Sequence, residues 1–173
     1  MRSMFQVRRT GATLLAVGVL SSCTAGADGN PPEPAPPVDT ARTEYSAAYD
    51  DVVAALTRDV PQVEWVPKDR FPHLTEQPDG RCVLALAESL GEGDLYEPSG
   101  GLADLAALLD PVLDEHGFDP LSEVVYPDDG GDVYVTATDE AGWELTVSAY
   151  PPVVGISGPV DTDRCDESAL DEG

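Results

Sequence analysis

Apolar residues recur at helical spacing in the first part of the chain that follows its proline-rich segment. Asp39 or Thr40 is placed to cap a helix there, and Pro61 ends it, because proline cannot continue a helix. The apolar face of this helix comprises Tyr45, Tyr49, Val52, Val53 and Leu56. This spacing predicts one amphipathic helix with a single buried face.

A second helical pattern follows the sequence YEPSGG. Its apolar stripe comprises Leu102, Leu105, Leu108, Leu109, Val112 and Leu113. Gly117 is placed to end this helix, since glycine readily adopts the left-handed conformation found just past a helix end. Pro111 predicts a kink or a break after Leu108, because proline lacks the amide hydrogen that a helix interior needs.

The last third of the chain alternates apolar and polar residues in the manner of β-strands. Four runs show this pattern: SEVVYP, GDVYVTATD, WELTVSAYP and VVGISGP. Asp-Asp-Gly-Gly and Glu-Ala-Gly, which separate three of the runs, are typical hairpin turns. Upstream, VEWV at 63–66 and RCVLALAES at 81–89 are also extended candidates, and a proline-rich loop joins them.

The order of helix, strand, helix and further strands predicts an α+β fold. We expect a two-layer sandwich, in which an antiparallel sheet of about four to five strands carries two main helices on one face.

The first 22 residues have the pattern of a signal peptide. Arginines precede an apolar run at 11–20, which is shorter than the ~20 residues that a membrane-spanning helix needs. The run ends in Leu-Ser-Ser-Cys, which resembles a bacterial lipobox, and we predict a lipoprotein signal peptide at 1–22 with lipid on Cys23. Ordinary secretory cleavage after Ala27 is the alternative, and export by the twin-arginine route through Arg8-Arg9 is a further one.

The cysteine count agrees with this prediction. Three cysteines leave one unpaired in an exported protein, and lipidation of Cys23 leaves Cys82 and Cys165. We expect these two to form a disulfide in an oxidising compartment, with two unpaired thiols as the alternative. A metal site needs more Cys or His at close spacing than the chain offers.

Residues 23–40 contain the lipidated cysteine and a proline-rich tether, and residues 41–173 form a single acidic domain in this interpretation. From residue 23 onward the chain has 33 acidic and six basic residues, a formal charge of −27. That charge excludes nucleic acid as a partner and excludes an electrostatic hold on anionic lipid. Membrane attachment must then come from the acyl chains on Cys23. We interpret the acidity as a source of solubility, with attraction of divalent cations or of a basic partner as alternatives.

The lipobox LSSC, the proline-rich tether, the small acidic domain and the late cysteine pair resemble the small lipoproteins of actinobacterial cell envelopes, such as the LppA-like group. The likeness is one of layout. It implies a location and an architecture, and it implies little chemistry.

Candidate chemistry is sparse. His73 lies in a predicted loop, and His116 lies at the end of the second helix, where a positive charge complements the helix dipole. Asp128, Asp129 and Asp132 surround a turn that could bind Ca²⁺, but the EF-hand order is absent, and we predict no metal site and no cofactor. The C-terminal sequence DTDRCDESALDEG is expected to be a solvated tail.

Two tryptophans, Trp65 and Trp143, are expected in the core or at its margin. If either is exposed beside Tyr96 or Tyr126, a binding surface for a glycan or a protein is indicated.

The sequence as a whole predicts a lipid-anchored, non-enzymatic binding or accessory domain on the extracytoplasmic face of a cell membrane, with an envelope protein or glycan as partner. A hydrolase that uses His73 is one alternative, and it predicts a serine or a carboxylate beside that histidine in a cleft. A structural subunit of an envelope complex is the other, and it predicts an apolar patch on the open face of the sheet.

Overall fold

The computed structural model describes residues 34–128 and 130–170, so the predicted signal peptide, Cys23 and most of the tether lie outside the described residues. The helices are α1 (Val38–Asp59) and α2 (Leu105–Glu115). The strands are β1 (Glu64–Pro67), β2 (His73–Glu76), β3 (Cys82–Glu92), β4 (Tyr134–Thr138), β5 (Glu144–Ala149) and β6 (Pro152–Val160). A short 3₁₀ helix spans Glu167–Leu170.

All six strands belong to one antiparallel sheet, which confirms the predicted α+β class. The strand order is β1-β3-β6-β5-β4, and β2 also pairs with β3. Because β3 is eleven residues long, β2 pairs with its first half and β1 with its second half. The sheet therefore has six strands where four to five were expected, since one long strand holds two short ones along the same edge.

Helix α1 covers the face of the sheet formed by β3 and β6, and α2 packs beside α1. The predicted apolar face of α1 is buried, apart from Val53, which is half-buried. Trp143 is fully buried and its indole stacks on the ring of Tyr45, with the ring centroids 3.8 Å apart. The backbone of β6 at Gly158 lies against that indole, where only a residue without a side chain leaves room.

The helix bounds differ from the expected ones for local reasons. Helix α1 begins at Val38, its N-cap residue is Pro37, and no side chain caps it. The predicted N-cap at Asp39 or Thr40 is therefore wrong, since both residues lie inside the helix. Helix α2 continues through Pro111 instead of breaking there. Pro111 and Ala107, whose carbonyl loses its partner, are both exposed, so water can satisfy that carbonyl.

One expected loop and one expected strand also differ. Residues 73–76 form β2 instead of a loop, because β3 offers them a free edge. The predicted strand at 122–127 makes only an isolated bridge between Val125 and Tyr134, together with one backbone hydrogen bond from Ser122 to Thr136, and it covers the outer edge of β4.

The two ends of the described chain are held to the fold. The carbonyl of Pro36 accepts a hydrogen bond from the amide of Asp161 at 2.9 Å, so the ordered contacts begin before Ala41. The C-terminal sequence is also not a simple solvated tail, because the 3₁₀ helix contacts α1 and β2.

Candidate functional site

An open cleft lies where the edge of the sheet is interrupted between β1 and β2. Residues 68–72 leave the sheet there, beside a bulge in β3 between Ala85 and Ala87. The cleft has a volume of about 900 Å³, within the size range of small-molecule sites. Residues 68–74 form one wall of the cleft. The 3₁₀ helix forms the second wall with Glu167 and Leu170, and Glu88 of β3 also lines the cleft.

The cleft carries charged groups of both signs. Nζ of Lys68 forms an ion pair with Oε1 of Glu88, so these two charges are already satisfied. Within residues 34–128 and 130–170, by contrast, the side chain of Arg70 has no hydrogen bond or ion pair, and neither has the side chain of Asp69 or Glu167. One guanidinium and two carboxylates are therefore free to meet a ligand.

The 3₁₀ helix, which forms the second wall of the cleft, is fastened on both sides. Cys165 precedes it and is bonded to Cys82 at the start of β3, with Sγ atoms 2.07 Å apart and Cα atoms 5.5 Å apart. At its far end, the carbonyl of Leu170 accepts a hydrogen bond of 3.0 Å from Nη1 of Arg42 in α1. The expected cysteine pair is thus present, and it positions a wall of the cleft.

His73 lies in β2 and lines the cleft, and the sequence-based loop assignment for it was wrong. Its ring packs against that of Phe71, with centroids 5.0 Å apart. Glu88 and Glu167 line the same cleft, but among the described residues His73 makes no side-chain hydrogen bond. The described lining therefore holds carboxylates in the cleft of His73, as the hydrolase alternative expects, but it contains no Ser, Thr or Cys and so no hydroxyl or thiol nucleophile.

His116 lies at the C-terminal end of α2, where the sequence placed it. Its Nε2 is 2.9 Å from Oδ2 of Asp51, which belongs to α1. The contact joins the C-terminal end of α2 to the interior of α1, and neither residue lines the cleft at 68–74.

The acidic turn that was considered for Ca²⁺ is only partly described. Asp129 lies outside the described residues, and Asp128 is exposed. Oδ1 of Asp132 accepts a hydrogen bond from the backbone amide of Tyr150. In the part of the chain that the structure describes, no three His, Cys, Asp or Glu side chains are grouped so that they could hold a metal ion.

The tryptophans do not form an exposed surface. Trp143 is fully buried, and Trp65 is half-buried against the core. Tyr96 and Tyr126, however, lie together, with their hydroxyl oxygens 3.4 Å apart, and Tyr150 joins them. The condition set for a binding surface, an exposed tryptophan, is therefore not met, although an aromatic surface exists without one.

Sequence reasoning found His73 and the cysteine pair, but it missed Arg70 and Glu167. A weak signal for Arg70 was present, because Lys and Arg together number only nine in 173 residues and two of them flank Asp69. No local signal marks Glu167, since only the folded chain brings the C-terminal segment to β2.

The chain was compared with described protein families, with curated proteins and with solved structures, and none of these comparisons gives a match. No helix in the described residues combines the length and the apolar character needed to cross a membrane.

Proposed function

We propose that this chain is a lipid-anchored protein on the extracytoplasmic face of a bacterial cell membrane, where it binds a small ligand that carries both a positive and a negative charge. A short peptide with free ends has this chemistry. The observation that carries the proposal is the cleft at 68–74, in which the free guanidinium of Arg70 lies with the free carboxylates of Asp69 and Glu167 beside apolar side chains.

The location rests on three supports. The sequence at 20–23 has the lipobox pattern, and a proline-rich segment follows it as a tether would. The third support is the bond between Cys82 and Cys165, because disulfides persist mainly in oxidising compartments outside the cytoplasm.

The ligand chemistry follows from the free charges. The planar guanidinium of Arg70 matches a carboxylate with two parallel hydrogen bonds, and a carboxylate such as that of Glu167 accepts hydrogen bonds from an ammonium group. Hydrogen bonds to charged groups contribute about 1.5–3 kcal/mol each, so each end of the ligand should affect the affinity measurably. Phe71, Leu74 and Leu170 supply apolar surface for the part between the two ends.

Ligand binding fits the structure better than either alternative. The hydrolase alternative expects a serine or a carboxylate beside His73. The described lining supplies carboxylates but no hydroxyl or thiol, and no hydrogen bond joins His73 to Glu88 or Glu167 among the described residues. A structural subunit should present a continuous apolar patch on the sheet face turned away from α1. On that face the apolar side chains belong to β3 and β6, as in Val83, Ala85, Leu90 and Val153, whereas β4 and β5 present hydroxyl side chains, as in Thr136 and Thr146.

Calorimetric titration of the full chain with a dipeptide tests the proposal. The free dipeptide alanyl-leucine, its N-acetylated form and its C-terminal amide differ only in which charge they retain. We expect the free dipeptide to bind at least about tenfold more tightly than either blocked form, because each blocked form loses one charge-assisted interaction.

Two variants locate the effect. Arg70→Gln should abolish the preference for a free carboxylate, and Glu167→Gln should abolish the preference for a free ammonium group. Arg58→Gln is the matched control, since Arg58 pairs with Asp59 and does not line the cleft. Equal affinity for all three dipeptide forms, or a loss of the same size in the control, would contradict the proposal.

A further inference from the structure

Three tyrosines from separate parts of the chain converge at one end of the sheet. Tyr96 follows β3, Tyr126 lies in the segment that covers the edge of β4, and Tyr150 lies in the turn between β5 and β6. Because neighbouring strands are antiparallel, the end of β3, the start of β6, the end of β5 and the start of β4 all lie at this end. The cleft at 68–74 lies at the β1–β2 edge and shares none of these residues.

These three rings, here called the tyrosine surface, form a contiguous group. The centroids of Tyr96 and Tyr150 are 5.3 Å apart, and the hydroxyl oxygens of Tyr96 and Tyr126 are 3.4 Å apart. Tyr126 is 59% exposed and Tyr150 is 56% exposed, the two highest values among the large apolar and aromatic residues described. Aromatic side chains that stay this exposed in a group are typical of contact surfaces.

The backbone is fixed at two of the three tyrosines, and the ring of Tyr96 is packed on one side. The amide of Tyr96 donates to Oδ1 of Asp94 at 2.9 Å, and the backbone of Gly101 lies close behind its ring, where an added Cβ would be 3.2 Å from Cζ. The amide of Tyr150 donates to Oδ1 of Asp132. The backbone at Tyr96 and Tyr150 therefore has little conformational entropy left to lose on binding.

The segments of the chain that carry the three tyrosines are acidic. The chain has no Lys or Arg between Arg81 and Arg164, and all three tyrosines lie within that interval. Loss of hydration, followed by the charges of Asp94 and Glu97, raises the pKa of Tyr150. Asp94 accepts the hydrogen bond from the amide of Tyr96, and Glu97 follows Tyr96 directly in the chain. The electron-rich ring faces and these carboxylates attract the same kind of group, an organic cation.

We propose that the tyrosine surface is a docking site for an arginine- or lysine-rich segment of a partner protein. A guanidinium or ammonium group stacks on the exposed rings of Tyr126 and Tyr150, and neighbouring basic side chains pair with Asp94 and Glu97. This inference does not depend on the cleft, since a different part of the fold carries it.

NMR of the full chain labelled with ¹³C-tyrosine tests the inference, with hexa-arginine as the probe at 150 mM salt. The chain has six tyrosines, and the buried Tyr45 and Tyr49 are internal controls. We expect the ring signals of Tyr96, Tyr126 and Tyr150 to shift and those of the buried pair to stay.

The double variant Tyr126→Leu/Tyr150→Leu removes the rings and leaves the charge unchanged, so it separates ring stacking from general attraction to an acidic protein. Its affinity for hexa-arginine should fall by about five- to thirtyfold, the effect of two exposed cation–π contacts. Tyr126→Phe/Tyr150→Phe retains the rings and should bind as the parent does. Both variants should fold, because the substituted side chains are more than half exposed.

Charge variants give a second readout. Glu97→Gln should weaken binding more than Glu44→Gln, an equal change of charge at an exposed position on α1. The inference is overturned if the leucine variant binds as tightly as the parent. It is also overturned if a neutral oligosaccharide such as chitohexaose shifts the three ring signals and hexa-arginine does not.

Discussion

Two glycines of β6 offer a matched test of how the core is built. Gly158 and Gly155 lie in the same strand, and neither needs a positive φ angle. A Cβ added at Gly158 would lie 2.6 Å from Cδ1 of Trp143 and closer still to two other indole atoms. A Cβ added at Gly155 would meet its nearest neighbours at 3.6 and 3.7 Å, which is ordinary van der Waals contact.

The indole has no space into which it can move. Trp143 is fully buried and is stacked against Tyr45, so relief of the overlap requires the strand or the indole to shift. Overpacking of this kind costs about 1–3 kcal/mol, and the depth of the overlap places Gly158→Ala near the upper value, at about 3 kcal/mol. For a domain of this size, that loss lowers the melting temperature by roughly 10 °C. Gly155→Ala should instead be neutral or stabilising by up to about 0.5–1 kcal/mol, because alanine has less conformational freedom than glycine to lose when the unfolded chain folds.

Urea unfolding followed by circular dichroism and tryptophan fluorescence measures both variants against the parent. A double variant, Gly158→Ala with Trp143→Leu, should lose less stability than the two single losses added together, since the smaller side chain relieves the overlap. Unfolding free energies for Gly158→Ala and Gly155→Ala that agree within about 0.5 kcal/mol would refute the packing of Trp143 over β6.

Three further predictions concern stability. Replacing Cys82 and Cys165 together by alanine should lower the free energy of unfolding by about 4 to 5 kcal/mol, the value that the chain-entropy model gives for a separation of 83 residues. Urea unfolding measures this loss, and an unchanged free energy would show that the bond does not constrain the unfolded chain. Burial raises the pKa of Tyr49, whose hydroxyl donates to Oγ of Ser89 at 2.6 Å, so the folded chain holds this proton more tightly than the unfolded chain. The stability that this protonated phenol contributes is complete below the ordinary phenol pKa of about 10, and it is lost as the pH rises from there towards the pKa in the folded chain. The melting temperature of Tyr49→Phe should therefore fall less between neutral and alkaline pH than that of the parent. Asp139→Ala removes the acceptor of two hydrogen bonds, of 2.5 and 2.7 Å, at the β4–β5 turn and should cost about 1–3 kcal/mol in thermal unfolding, whereas Asp139→Asn should cost less.

The parts of the fold that sequence predicted well are those set by local pattern. The face of α1 around Tyr45 and Tyr49, and the strands around Val147 and Ile156, follow directly from periodicity, because burial on one side selects residues at a constant spacing. Strand β2 was missed, since four residues carry little pattern and their conformation is set by the free edge of β3.

The cleft was beyond local reasoning for a different reason. Arg70 and Glu167 are far apart in sequence, and they line one cleft because the bond between Cys82 and Cys165 brings the C-terminal segment to the sheet edge. The cysteine pair was expected, but the register of β3 and the bend at 68–72, which decide what lies beside it, depend on the whole sheet.

Mass spectrometry of the chain extracted from membranes, with and without reductant, tests the central claim most directly. The account predicts an N-terminus at Cys23 that carries a diacylglyceryl group, and a peptide bridge between Cys82 and Cys165 that only reductant removes. A chain that starts at Asp28 without lipid, or one whose two other cysteines react as free thiols, would contradict the proposed anchored, extracytoplasmic protein.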